Sequence, residues 1–149
     1  MSFFAASVDA ASPGTTNDVL TLTAAAVRMA FVHELSISGL GTASAAGEIA
    51  AARATTVGVT PVAQTPAKIN PLSAAAASTV ATGWTTQPVR AAVPLLRLGC
   101  NANGGVYRWV AKPGMEIALY DTVTTGQLSA FMTTAAAITY GVHLLFEEM

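Results

Sequence analysis

The stretch Asn101–Asp121, NANGGVYRWVAKPGMEIALYD, decides how the chain is read. Gly104 and Gly105 close a first turn, because glycine takes positive φ at little cost. Val106, Arg108 and Val110 then alternate with Tyr107, Trp109 and Ala111, which is the period-two signature of a strand. Lys112, Pro113 and Gly114 turn the chain again. Pro113 suits the second position of a type II turn and Gly114 the third. A further strand opens at Met115. The stretch also holds one of the two tryptophans and two of the three tyrosines. In a chain rich in alanine and threonine we expect this hairpin to supply the missing bulk, since a buried aromatic covers about 150–250 Å². The expected core is Phe31, Val106 or Tyr107, Trp109, Leu119, Phe131 and Phe146.

The same grammar extends in both directions. VLTLTA (19–24) alternates. AVRMAFVHELSIS (26–38) sets Val27, Met29, Phe31, Leu35 and Ile37 on one face, interrupted by His33, with Arg28, Glu34, Ser36 and Ser38 on the other. EIAAARATTVGV (48–59) has a core that would suit a helix, but its β-branched run and lack of a sizeable apolar face favour a strand. VRAAVPLLRLGCN (89–101) is a strand that Pro94 demotes to an edge or a bulge. QLSAFMTT (127–134) and ITYGVHLLFEEM (138–149) complete the set. About eight strands at turn-marked intervals, with no convincing long helix, argue for an all-β fold: an antiparallel β-sandwich or jelly roll.

Two segments stand outside this pattern. Residues 1–18 read as an extended N-terminal arm, because SPGTTND breaks regular structure and nothing before it has a clear period. Phe3 and Phe4 at its tip belong either to a ragged end or to a tether that enters a neighbouring subunit. Residues 60–88 contain Pro61, Pro66, Pro71 and Pro88, which exclude a long helix or a central strand. We expect a long connection there, with a short helix starting near Pro71 in PLSAAAAS. Residues 19–149 form the single sandwich domain.

Composition narrows the function. The 149 residues suit one domain with a real core. Charged residues make up only 10 % and the net charge is -1, too few Lys and Arg for a nucleic-acid-binding face. Much of the 52 % apolar share is alanine, and no run approaches the roughly 18–20 residues that span a bilayer. The opening residues lack the basic start and apolar core of a signal peptide. Cys100 is the one cysteine, so it forms neither an internal disulfide nor a cysteine metal cluster. A surface this poor in charge invites self-association or docking on a partner.

Catalytic signatures are weak. His33 and His143 have no histidine two residues away; they would need to meet from different strands, with Glu147 or Glu148, to hold a metal. The eight acids single out no pair for glycoside hydrolysis. Cys100 beside Gly99 and Asn101 has no activating setting. GLGTASAAG (39–47) lacks the Lys of a phosphate loop. We expect no cofactor, no metal and no small-molecule substrate. Arg28, Arg53, Arg90, Arg97 and Arg108 lie on strands, where they keep an outer face soluble or form salt bridges across an interface. Trp84 is a loop tryptophan, either a core plug or an interface anchor.

The order of these pieces resembles a known family. EIAAARATTVG, the connection carrying Pro66, Leu72 and Trp84, the hairpin GGVYRWVAKPG and the ending VHLLFEE are similar to the small head decoration, or cement, proteins of tailed bacteriophages. The resemblance covers residues 19–149 and leaves out the arm. It implies a jelly roll that assembles as a homotrimer on the capsid exterior, binds the major capsid protein and bridges capsomers. It implies a structural protein of the virion rather than an enzyme. The candidate partner contacts are Phe3 and Phe4 in the arm, Pro66, Leu72 and Trp84 in the connection, and Arg53 and Arg90. The competing reading is a receptor- or glycan-binding head-fibre or tail module, with Trp84 or Tyr107 exposed for stacking.

Overall fold

A computed structural model describes residues 1–10, 14–120, 126–134 and 139–149. These contain thirteen strands: β1 (Ser2–Ala10), β2 (Asp18–Thr23), β3 (Ala30–Gly39), β4 (Ala46–Thr56), β5 (Val59–Gln64), β6 (Ala67–Lys68), β7 (Thr79–Thr86), β8 (Val89–Arg90), β9 (Leu96–Asn101), β10 (Val106–Val110), β11 (Ile117–Leu119), β12 (Gln127–Met132) and β13 (Tyr140–Glu148). Among the described residues no helix is long and apolar enough to cross a membrane.

The strands form two antiparallel sheets packed face to face. The first runs β10-β3-β13-β1-β6, with β11 also on β3; the second runs β5-β7-β2-β12-β4-β8, with β9 also on β4. Eight strands make the frame, four in each sheet: β1-β13-β3-β10 and β2-β12-β4-β9. Along the chain, β1, β2, β3 and β4 alternate between the sheets, and β9, β10, β12 and β13 return in the same interleaved way. That is the connectivity of a jelly roll. The count is thirteen rather than about eight because β5 to β8 are inserted between β4 and β9, and β11 follows β10.

The expected arm is a strand. β1 pairs with β13 rung by rung from Ser2↔Glu148 to Ala10↔Tyr140, and β6 covers part of its other edge through Phe4↔Lys68. Phe4 and Ala6 alternate inward and are buried. A strand with ladder partners on both sides satisfies its backbone groups, which an isolated end cannot do.

The expected face of β3 is broken by a bulge. In the β13–β3 ladder Leu145 pairs with Glu34 and Phe146 with Val32, so His33 has no opposing residue. One extra residue reverses the parity of everything beyond it. Leu35 and Ile37 point inward on one side of His33, Ala30 and Val32 on the other. Phe31 therefore turns away from the core and is half-buried, while Val27 and Met29 precede the strand and are exposed.

The core does not come from the central hairpin. Phe4, Tyr140, Phe146, Leu20, Leu22, Leu35, Ile37, Ile49, Leu119 and Met132 fill it. Each such side chain contributes about 1.5–3 kcal/mol by leaving water. Of the expected set, Leu119 and Phe146 are buried, whereas Phe31, Trp109 and Phe131 are only half-buried and Val106 and Tyr107 are exposed. The reason is position: among the described residues β10 pairs with β3 alone and lies at the edge of the sheet. The turn read at Lys112–Met115 does form, with Gly114 at φ 83° and the Met115 N–H donating to Lys112 O at 2.8 Å.

The 60–88 connection is itself stranded. β5 and β7 form a hairpin that joins the second sheet where Thr21 pairs with Ala81. Pro61 sits in β5, whose outer edge is free, so its missing N–H breaks no ladder. No helix starts at Pro71. Asn70 Oδ1 accepts the Leu72 N–H and Asn70 O accepts the Ser73 N–H, both at 3.0 Å, closing a turn instead. The Ala77 and Ser78 N–H groups donate to the two Glu148 carboxylate oxygens at 3.0 and 2.5 Å. A carboxylate thus takes the bonds that a helix would have used.

Candidate interaction surfaces

The two sheets differ in what their outer faces offer. On the second sheet, Thr21, Ser129, Ala50 and Ala52 point away from the core yet are buried. The chain covers this face itself, with the segment around Gln87–Arg90. Gln87 Oε1 accepts the Asp18 N–H at 2.9 Å. Arg90 Nε lies 3.0 Å from Asp18 Oδ1, and the guanidinium sits 4.0 Å above the Phe131 ring. Burial pushes the Asp18 carboxyl up to about 6, against the opposing pull of the Ser129 hydroxyl and Arg90.

This arrangement reassigns the two candidate arginines. Arg90 holds Asp18 and Phe131 and also donates to Thr16 O. Arg53 donates from Nη2 to Ala118 O at 2.8 Å, tying the two sheets together at one end. Both guanidiniums bind within the chain rather than standing free for a partner. The exposed pairs Arg97–Glu48 and Arg108–Glu34, at 2.8 and 2.7 Å, contribute little to stability.

The first sheet leaves its outer face open. Two neighbouring rungs cross it, Ser7–His143–Ser36 and Asp9–Gly141–Ser38. Gly141 has no side chain, and a Cβ there would lie 2.8 Å from Ser38 Oγ. The result is a shallow hollow of about 250 Å³ floored by strand backbone and walled by Asp9, three serines and His143. Ser7 Oγ and His143 Nδ1 are 2.9 Å apart. Among the described residues no carboxylate holds the other ring nitrogen, so the pair lacks the orienting acid of a hydrolytic triad.

The two histidines do not meet. His33 Nε2 pairs with Glu147 Oε2 at 3.0 Å and its ring packs against Phe3, with centroids 5.5 Å apart. Glu148 is engaged by backbone N–H groups, so the imagined His33–His143 set is dispersed. No group of three metal-ligating side chains occurs among the described residues. Cys100 is buried beside Tyr140, and burial raises the pKa of its thiol.

Apolar groups stand outside at two places. One is a hollow of about 490 Å³ at the β10 edge, lined by Leu95, Trp109, Val110, Ala111, Met115 and Ile117 together with Lys112. Leu95, Val110 and Met115 are exposed. The other is the turn after β6, where Leu72 is 92 % exposed and Ile69 is exposed beside it. Leu72 is the one sequence candidate displayed in full. Phe3 is exposed, Pro66 and Trp84 are half-buried, and Phe4 is a core residue of its own chain. Trp84 is not in a loop: it lies on β7 across from Pro61, and a Cβ on Gly58 would collide with its ring. The β10-edge hollow is not marked in the sequence beyond Val110, an apolar residue on the Arg108 face of the alternation. No protein family model matches the chain, and no curated protein matches it.

Proposed function

We propose that the protein is a structural component of a virion: a phage head decoration protein that binds the outside of the shell and bridges capsomers. The observation that carries this reading is the display of large apolar side chains on rigid elements of a jelly roll with very few charges. Leu72 projects from a turn held by Asn70 and Glu148, and Leu95, Val110 and Met115 line an open sheet edge. Exposed apolar groups of this kind suit a chain that works while covered by partners. The resemblance of the EIAAARATTVG, Leu72–Trp84 and GGVYRWVAKPG segments to decoration proteins points to the major capsid protein as the partner and to a trimer as the working unit. In this reading the chain performs no catalysis and takes no cofactor.

The test is co-sedimentation with expanded empty phage heads. Saturable binding at a fixed ratio to the coat protein is the expected outcome. A folded protein that stays in the supernatant at every concentration would sink the idea.

A second reading has its own observation. The hollow walled by Asp9, Ser7, Ser36, Ser38 and His143 presents a carboxylate, hydroxyls and an imidazole on an open face, a donor and acceptor set that suits a hydroxyl-rich glycan. Binding of a host-surface polysaccharide that Asp9→Asn abolishes would favour a receptor-binding module instead.

A further inference from the structure

β10 has one unused ladder edge. The Ala111 N–H donates to His33 O at 2.8 Å, one rung beyond Val110↔Glu34. Hydrogen-bonded pairs alternate along an antiparallel ladder, so Trp109 and Tyr107 also turn their N–H and C=O groups towards β3. Val106, Arg108 and Val110 turn theirs the other way, where among the described residues no strand pairs with β10. Such a row of donors and acceptors is a template for another extended chain. The free edge of β5 is a poorer one: Pro61 lacks a donor, Thr60 takes a φ of 49°, and the ladder shifts register between Val62 and Ala63. The β10 ladder runs without proline and without a shift.

The edge is bordered by an apolar hollow and by cations. Lys112 is the one charged residue in the lining of the hollow, beside Leu95, Trp109 and Met115. It is exposed and lies two residues beyond Val110, about 7 Å along a strand. Arg108 Nη2 meets Glu34 Oε2, but the arginine side chain is 56 % exposed and the glutamate 14 %, so the surface shows mainly the cation. Glu116 is taken by its own turn, where its Oε1 accepts the Gly114 N–H at 3.1 Å.

Charge decides which occupant fits. Two β10 strands paired edge to edge would bring the same cations together, and like charges across a ladder are destabilising. An extended segment that carries a carboxylate meets no such conflict. Its backbone continues the first sheet, an apolar side chain enters the hollow, and an acidic side chain two residues away, on the same face of the added strand, reaches Lys112.

We propose that β10 is a docking edge for an extended acidic segment of another protein, bound by strand addition with one apolar anchor in the Leu95–Trp109–Met115 hollow. The proposal rests on the docking role above in taking the segment from a partner protein, and adds to it the mode of contact and the chemistry of what docks.

A library of random peptides on beads, selected against the folded full chain, supplies the probe. The expected winners carry a leucine or an aromatic residue two positions from an aspartate or glutamate. Amide hydrogen exchange then locates the bound peptide. In the free chain the Arg108 and Val110 amides should exchange fast and those of Tyr107 and Trp109 slowly; the peptide should slow Arg108 and Val110. Lys112→Glu should weaken binding about tenfold. Val110→Pro removes an outward donor without touching the β3 ladder, and should abolish binding with an unchanged circular dichroism spectrum. An empty selection, basic winners, or a bound peptide that leaves the Arg108 and Val110 amides fast would overturn the proposal. Slow exchange of those two amides in the free chain would overturn it too, since a second copy would then already cover the edge. Peptide binding at β10 by a protein that ignores phage heads would leave the proposal standing and count against the decoration role alone.

Discussion

Phe4 stacks on Phe146, with ring centroids 5.5 Å apart and an interplanar angle of 28°. The two rings come from the first and last strands of the chain, neighbours in the middle of the first sheet. Both are buried. This contact replaces the arm that the sequence suggested with a piece of the core.

Phe4→Ala should therefore cost about 3–5 kcal/mol, the usual range for deleting a buried aromatic. Urea unfolding of the variant measures it. Removal of residues 2–10 should go further and leave a chain that does not fold, because β13 would lose a nine-rung partner. A folded, cooperative deletion variant would show that the strand is dispensable.

Asp18 gives a pH dependence whose sign follows from its pKa. The folded value, about 6, lies above the unfolded one of 3.8, so the folded chain binds the proton more tightly. The contribution to stability is fully present below pH 3.8 and is lost as pH rises through 6. Between pH 4 and 7 the parent should gain on the order of 2–3 kcal/mol, as pH falls, relative to Asp18→Asn. Comparison with that variant cancels the other acids. A difference in unfolding free energy that is flat across this range would place Asp18 in water.

Glu148→Ala should release the 71–78 turn. Two backbone N–H groups would lose a charged acceptor, at a cost of about 2–3 kcal/mol. Hydrogen exchange at the Ser78 amide reads the effect directly. The amide should become far less protected, while core amides such as that of Val142 follow only the global change. Unaltered protection at Ser78 would mean that another group holds the turn.

Gly39→Ala should be destabilising by about 1–3 kcal/mol. Its Cβ would collide with the backbone of Asn101 and Ala102, which cannot yield as a flexible side chain can. Gly99→Ala is the control, since nothing lies within 4 Å of its Cβ position. Thermal unfolding of the pair separates crowding from the general effect of adding a methyl group.

Alternation revealed the frame strands that sit mid-sheet. VLTLTA and QLSAFMTT became β2 and β12 because each alternates apolar core side chains with other residues at regular spacing, although both of their faces are buried. Three things left no such trace. The first strand, SFFAASVDA, uses alanine and serine, so its alternation is faint. Only the distant complement in VHLLFEE shows that it belongs in a sheet. The bulge at His33 changes which residues of β3 face inward, and nothing local marks a residue that its partner strand skips. Proline density made 60–88 look unstranded, yet Pro61 is harmless on a free edge. The surface was harder still. The reading placed Trp109 and either Val106 or Tyr107 in the core, but the spacing of side chains does not say that a strand has only one neighbour.

Ser2 and Glu148 face each other across a single rung of the ladder. A short linker could therefore join the two ends without disturbing the sheet, and the chain could be reopened in an exposed loop such as 42–44 to give a circular permutant. By the same geometry, a peptide fused to either end would emerge at the same corner of the molecule. Fusions at both ends would hold two cargoes side by side, a useful arrangement for display on a repeating surface.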